Sequence, residues 1–192
     1  MGQFIHNFFD FLVNLLASLG PIIGILIIIL ESIIPILPLG AFIALNMLAF
    51  GTFFGFFISW LATCFGCILS YYIFKKGFSD KLYNNIKENG KTKKILNVIK
   101  KLSFSKLVLL MAMPFTPAFL VNITAGLSQM NFTKFVCAVL LSKIFIIYFW
   151  GYVGTSIIES VTDVITLLRI FGLLIIAYFI SKLIQKKFNI RE

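Results

Sequence analysis

Two proline-containing interruptions of strongly apolar sequence constrain this chain more than any other feature. Pro35 and Pro38 form the first Pro-x-x-Pro, and Pro114 and Pro117 form the second. Proline has no N–H, so each one leaves the carbonyl four residues earlier without its helical hydrogen-bond partner. At membrane depth, such broken backbone is tolerated only where protein or a water-filled cavity covers it. Paired interruptions in two halves of a chain point to a transport site.

The composition predicts an all-α polytopic membrane protein. The chain has 192 residues, of which 60% are hydrophobic and only 12% are charged, about half the charged share of a soluble domain. The net charge of +10 does not indicate a nucleic-acid partner, because ten of the seventeen basic residues lie in 75–106 and four more in 182–191. This clustering is typical of cytoplasmic loops under the positive-inside rule. We therefore expect loop 75–103 and the C-terminus to lie in the cytoplasm, and the expected location of the protein is a bacterial plasma membrane.

The chain divides into three parts by hydropathy. These are an amphipathic N-terminal segment at 1–19, a membrane domain at 20–158, and a final transmembrane helix with a basic tail at 159–192. The amphipathic segment is expected either to lie at the membrane interface or to extend the first span. Apolar length predicts full spans at about 18–34, 52–74, 135–157 and 166–184.

Charge placement indicates how the second interrupted stretch, 104–127, meets the membrane. If this stretch crossed fully, three crossings would separate the two basic segments, and the basic tail would lie outside. If it enters and returns, both basic segments stay inside. The sequence therefore predicts a re-entrant hairpin at 104–127 and, by the same logic, one at about 35–50 that enters from the opposite side. Each hairpin precedes a transmembrane helix, which makes an inverted repeat.

The residues around these interruptions resemble the DedA superfamily, whose shared module is called the VTT or SNARE-associated domain. The resemblance covers about residues 20–158, and the order Pro-x-x-Pro-x4-Asn-x3-Gly is more similar to the branch with eukaryotic Golgi-vesicle membrane proteins than to the central DedA branch. It implies a two-hairpin architecture and movement of lipids between leaflets, with proton coupling in some members. The matching positions are Glu31, Pro35, Pro38, Gly40, Gly51 to Gly66, Tyr72, Pro114, Pro117, Asn122, Ala125, Gly126, Leu127, Phe132 and Phe135.

Two positions depart from the pattern of that family. Many members carry an acidic residue next to the glycine that corresponds to Gly66, where this chain has Cys67. Many carry an arginine three residues before the proline that corresponds to Pro114, where this chain has Met111. The resemblance implies proton coupling and phosphate contact at these positions, so their replacement argues against a proton-driven phosphate transporter.

Glu31, Lys143 and Asn122 are the predicted residues of a substrate or proton path. A charged side chain at membrane depth costs about 2.5–3.5 kcal/mol on insertion scales, so Glu31 and Lys143 are functional hypotheses. The alternative for Glu31 is a position near the outer interface, where it reaches water. Lys143 lies in the middle third of its span, where it could pair with Glu31, bind a lipid phosphate, or snorkel toward the cytoplasmic side.

A second group of residues is predicted to shape the hairpins. These residues are Pro35, Pro38, Gly40, Pro114, Pro117 and Gly126.

Aromatic residues near the end of one span are expected to anchor it at the membrane interface. These residues are Tyr148, Trp150 and Tyr152.

The sequence offers little for catalysis or metal binding. Cys64 and Cys67 form a C-x-x-C, but they lie inside a predicted span without a second pair, so we interpret them as packing residues. His6 is the only histidine. We therefore expect no metal, no cofactor and no enzymatic activity.

Three functions from different classes fit these features. The first is a lipid translocator or scramblase of the DedA/VTT type, which moves a phospholipid or a polyprenyl-phosphate carrier between leaflets. The second is an ion- or proton-coupled small-solute transporter. The third is a non-catalytic membrane factor that acts through its basic cytoplasmic loop. Membrane lipids are the expected substrate, anionic lipid headgroups are expected at loop 75–103, and an oligomer is compatible with the sequence.

Overall fold

The computed structural model is all-helical over the residues that it describes, which are 2–34, 39–76, 98–116, 118–159 and 163–187. Three of the described helices, Thr52–Lys76, Phe132–Ile158 and Val164–Lys187, are long and apolar enough to cross a membrane. The prediction of an all-α polytopic protein is confirmed. The helices are α1 (Gly2–Leu19), α2 (Pro21–Ile33), α3 (Leu39–Phe50), α4 (Thr52–Lys76), α5 (Phe104–Ala112), α6 (Ala118–Leu127), α7 (Phe132–Glu159) and α8 (Val164–Lys187). Pro35, Pro38, Pro117 and most of loop 75–103 lie outside the described residues.

The first hairpin differs from its prediction because the chain turns sharply before it. α1 and α2 meet at Gly20 with a bend of 106°, and Gly20 has a φ of 80°, which glycine adopts readily. Pro21 is the first residue of α2. The N–H at this position of a helix has no helical acceptor, so proline costs no hydrogen bond here. α2 has 13 residues, about 20 Å at 1.5 Å per residue, which is short of a hydrocarbon layer of roughly 30 Å. The predicted span over about 18–34 is therefore not one straight helix, and α2 packs as one arm of a hairpin whose second arm is α3.

The two halves pack as an inverted repeat requires. In the first half, α2 packs on α4, and in the second half α5 packs on α7. The other arms reach across, since α3 packs on α7 and α6 packs on α4. α4 and α7 also contact each other directly, and α3 in addition contacts α4. Each hairpin therefore places one arm on the span of its own half and one arm on the span of the other half.

The second hairpin begins and ends at one end of the molecule. Near the C-terminal end of α4, the Tyr71 hydroxyl donates a hydrogen bond to the carbonyl of Met130, which follows α6, at 2.6 Å. The Lys134 ammonium donates to the carbonyl of Leu102, which precedes α5. The residues just before and just after the hairpin are therefore neighbours. The stretch 104–127 therefore starts and ends at the same end of the molecule, as a re-entrant hairpin requires.

The first hairpin begins and ends at the opposite end of α4. Near the end of α3, Asn46 Nδ2 donates to the Ser59 hydroxyl near the start of α4 at 3.1 Å. Gly24, in the first turns of α2, lies so close to Asn46 that a Cβ at this position would collide with the asparagine side chain. Gly55, one turn before Ser59, packs against the backbone of Asn46. The two hairpins therefore enter from opposite ends of the α4–α7 pair.

Candidate functional site

A cavity of about 490 Å³ lies where the two broken hairpins meet α4 and α7. Every helix from α2 to α7 contributes at least one lining residue, and so does the break between α5 and α6. This volume falls in the range of roughly 300–1,000 Å³ that is usual for small-molecule sites. The wall is mostly apolar, so its few polar side chains determine what the cavity can hold.

All three predicted path residues line this cavity. Glu31 on α2 is 9% exposed, Lys143 on α7 is 2% exposed, and Asn122 on α6 is 1% exposed. Glu31 belongs to the first half of the repeat, whereas Lys143 and Asn122 belong to the second. The packing of the two halves therefore brings together residues that are more than 90 positions apart in the sequence.

Glu31 lies in the last turn of α2, directly before the first break. Its neighbour Ser32 donates a hydrogen bond back to the carbonyl of Ile28 at 2.9 Å, which satisfies the serine hydroxyl inside the helix. α2 approaches α4 closely here, because Gly66 presents no side chain: a Cβ at Gly66 would lie 2.5 Å from Ser32 Cβ. This approach buries the last turn of α2 and leaves Glu31 in the cavity wall.

Lys143 lies deep within α7, 11 residues after Phe132 and 16 before Glu159. Its side chain is buried, so it does not snorkel to a membrane surface. Its ammonium and the carboxylate of Glu31 belong to the wall of the same cavity. Among the described residues, however, neither group makes an ion pair or a hydrogen bond. The two opposite charges therefore share the cavity without contacting each other.

Asn122 contributes a polar atom with no protein partner. Its side-chain oxygen, Oδ1, is buried and accepts no hydrogen bond from the residues that the structure describes. A buried acceptor without a donor costs about 1–3 kcal/mol, so such atoms in native proteins usually have a functional or solvent explanation. Since Asn122 lines the cavity, a ligand or a water held there can supply the missing donor.

The two positions that depart from the family pattern also line the cavity. Cys67 and Met111 are both buried in its wall. Thr63, one turn before Cys67, uses its hydroxyl to donate to the carbonyl of Ser59 at 2.7 Å. Over the described part of the wall, the charged residues are Glu31 and Lys143 alone.

The described hairpin-shaping residues lie at the break and at close helix contacts. Pro114 lies in the break between α5 and α6 and lines the cavity. Gly40, in the first turn of α3, admits the ring of Trp150: a Cβ there would lie 2.9 Å from a ring carbon. Gly126, in the last turn of α6, packs against α4, and a Cβ there would lie 2.5 Å from the carbonyl oxygen of Tyr71.

The indole of Trp150 is not the interface anchor that the sequence suggests. It lines the cavity, and it meets the ring of Phe115 edge-on, with ring centroids 6.0 Å apart. Tyr148 and Tyr152, by contrast, are exposed. The aromatic cluster near the end of α7 is therefore split between the cavity and the outer surface, which spacing along one helix did not reveal.

Support of the second break by α8 was also missed from the sequence. Gln185 Nε2 hydrogen-bonds to the carbonyl of Phe115 at 3.2 Å and to the hydroxyls of Thr116 at 3.3 Å and Ser181 at 3.0 Å. The rings of Tyr178 and Phe115 meet edge-on, with centroids 5.6 Å apart. A signal for this contact is present in the sequence, because Ser181 and Gln185 are polar residues four positions apart in an apolar helix and therefore share one face.

Comparison with known proteins identifies the family. The family model of the VTT domain matches residues 34–156, from the first break to near the end of α7. The chain is 27% identical over 174 residues to the uncharacterized membrane protein YhjE of Bacillus subtilis (strain 168), across 91% of this chain and 84% of YhjE.

A second relative is less completely covered. The chain is 27% identical over 121 residues to the uncharacterized protein YqeD of the same organism, across 63% of this chain and 58% of YqeD. No solved structure matches the chain significantly. Because the VTT model covers more than half of the chain, this integral membrane protein belongs to the VTT-domain family of the DedA superfamily.

Proposed function

We propose that this protein moves lipids between the two leaflets of a membrane, as a translocator or scramblase. The observation that carries the proposal is the cavity between the two broken hairpins, whose apolar wall holds one carboxylate, one ammonium and one amide. A headgroup that crosses the hydrocarbon layer needs polar partners to replace water, while the acyl chains can stay in lipid. These groups, on an apolar wall that also carries the hydroxyls of Ser32, Thr63 and Thr116, meet the first need without requiring a wide aqueous channel.

The lengths of the hairpin arms suit this role. α5 and α6 have 9 and 10 residues, about 14–15 Å at 1.5 Å per residue, or half of a hydrocarbon layer of roughly 30 Å. The two hairpins would then reach into the hydrocarbon layer from opposite sides, and the cavity lies between them. Binding sites formed by discontinuous helices are a recurring feature of transporters with inverted repeats.

The charge distribution supports an orientation for this path. With loop 75–103 and the C-terminus in the cytoplasm, the second hairpin opens from the cytoplasm and the first from the outside. The plasma membrane of a bacterium is the proposed location, with phospholipids or a polyprenyl-phosphate carrier as substrates and anionic headgroups at the basic loop. This activity is transport rather than enzymatic catalysis.

Reconstitution tests the proposal directly. The full-length protein is incorporated into liposomes that contain a trace of acyl-labelled fluorescent phospholipid, and a membrane-impermeant quencher is added outside. If lipids move between leaflets, quenching should proceed beyond the outer-leaflet fraction, and Lys143→Met should slow it. Tyr148→Phe, on the exposed face of α7, is the matched control and should have no effect.

The rival functions predict other outcomes in the same vesicles. Ion or solute flux without lipid movement would contradict the proposal and favour a small-solute transporter. Folded, correctly inserted protein that supports neither flux would contradict it in favour of a membrane factor. In that case, neutralising the lysines of loop 75–103 should abolish function in cells, whereas Lys143→Met should not.

A further inference from the structure

We infer, on the basis of the proposed function, that the cavity selects dipolar headgroups that carry both a phosphate and a primary ammonium. Choline headgroups and singly anionic headgroups should be moved less well. In this assignment Lys143 binds the phosphate, Glu31 binds the ammonium, and Asn122 is the residue that distinguishes a primary from a quaternary ammonium. The inference rests on the charges and the unpaired acceptor of the cavity wall.

The first step is the charge balance of the wall. Over its described part, the wall carries one negative and one positive group, Glu31 and Lys143, and these do not form an ion pair with each other. A buried charge without a counter-ion is costly. A ligand with one negative and one positive group compensates both at once. An anionic headgroup would compensate Lys143 but would bring a second negative charge toward Glu31, which like-charge repulsion opposes.

The second step assigns the two ends of the ligand. The Lys143 ammonium has three donors and no acceptor, so among the parts of a phospholipid headgroup it is matched to the phosphate. The carboxylate of Glu31 only accepts hydrogen bonds when ionised, so it is matched to the ammonium. The two residues come from helices of different halves, α2 and α7, and the headgroup would therefore lie across the interface between the two halves.

The third step uses the unpaired oxygen of Asn122. This buried Oδ1 has no donor within the described part of the chain, so it is matched to a ligand that supplies an N–H. A primary ammonium has three N–H groups to divide between Asn122 and Glu31. A quaternary choline nitrogen has none, and it would leave the asparagine oxygen unsatisfied. A site built to accept a hydrogen bond rejects an analogue that lacks the donor.

Competing headgroups in one vesicle system test the inference. Liposomes of phosphatidylcholine and phosphatidylglycerol receive a trace of one acyl-labelled lipid with an ethanolamine, a choline or a glycerol headgroup. We expect the ethanolamine lipid to move about 5- to 100-fold faster than the choline lipid, which corresponds to the loss of one buried hydrogen bond. The glycerol lipid should also move more slowly than the ethanolamine lipid.

Variants of the acceptor assign the discrimination to one side chain. Asn122→Leu removes the acceptor and should abolish the preference, so that the ethanolamine and choline lipids move at equal rates. Asn122→Asp keeps an acceptor and should retain the preference. Asn46→Leu is the matched control, because Asn46 Oδ1 is also buried without a donor among the described residues but Asn46 does not line the cavity. The ratio of two rates in one preparation does not depend on the folded fraction.

The outcomes separate this inference from the proposed function. Movement of no lipid by folded protein would contradict the proposed function itself. Equal rates for the three lipids, or a faster glycerol lipid, would overturn the dipolar selection while leaving lipid movement intact. A proportional loss of both rates in Asn122→Leu would overturn the role given to Asn122, because it would show that the side chain only supports the fold.

Discussion

Replacing Gly126 with alanine should destabilise the protein, although alanine is the better helix former. Gly126 lies in the last turn of α6, where this helix packs on α4. A Cβ there would lie 2.5 Å from the carbonyl oxygen of Tyr71, 3.1 Å from Cβ of Phe74 and 3.2 Å from the backbone nitrogen of Lys75. Close carbon–oxygen contacts are normally about 3.3–3.6 Å, so α6 would have to move off α4 by about 1 Å.

The surroundings of Gly126 resist that movement. The nearest atom, the carbonyl oxygen of Tyr71, belongs to the helical backbone of α4, and the side chain of Tyr71 is held by its hydrogen bond to Met130 at 2.6 Å. The Tyr71 ring also stacks on Phe135, with ring centroids 4.8 Å apart. Overpacking a well-packed core costs about 1–3 kcal/mol, whereas glycine to alanine within a helix contributes up to about 1 kcal/mol of stability. The expected net loss in the free energy of unfolding is about 0–2 kcal/mol.

A second glycine provides the matched control. Gly172 lies within α8, and a Cβ there would meet nothing within 4 Å. Gly172→Ala keeps the gain in helix propensity without the collision, so the difference between the two variants isolates the steric cost of about 1–3 kcal/mol. Denaturant unfolding of the purified protein in detergent measures that difference. Lipid movement should also fall in Gly126→Ala, because Asn122 lies one turn earlier on α6. Equal stability of the two variants would refute the close docking of α6 on α4.

Three further predictions address topology, the second break and the charge pair. In a background without native cysteines, single cysteines in 80–95 and in 128–131 should be labelled from the same side by an impermeant reagent. Labelling of 128–131 only from the other side would rule out the enter-and-return course. Gln185→Leu should lower the free energy of unfolding by about 1–3 kcal/mol, since the second break loses its donor; an unchanged unfolding midpoint would show that the donor is dispensable. Lys143→Met should destabilise the protein, and adding Glu31→Gln should recover at least about 0.5 kcal/mol. Strict additivity of the two stability effects would mean that the charges do not interact.

The membrane architecture was predictable where it depends on local properties. Apolar length alone is enough to find α4, α7 and α8, because a span must exceed the hydrocarbon thickness. Pro114 marks the second break, since proline removes a helical hydrogen bond wherever it stands. Glu31 and Lys143 were visible as site candidates because an ionisable residue stands out in an apolar run.

Other features depend on contacts that no local pattern encodes. The bend at Gly20 interrupts a stretch that remains apolar on both sides, so hydropathy reports one span where the chain turns. The place of Trp150 in the cavity wall follows from the absence of a side chain at Gly40, more than 100 positions earlier. Gln185 was missed because its partners are the polar groups of a distant break.

The hydrogen bonds between α8 and the second break have a consequence for the time course of biosynthesis. Gln185 is made 70 residues after Phe115, and at roughly 5–20 residues per second the interval is about 4–14 s. During that time the second break is already in the nascent chain, but its donor is not. The hydrogen bonds of the second break are therefore completed only after α8 has been synthesised. A chain that ended at residue 156, where the match to the VTT domain ends, would lack the Gln185 donor.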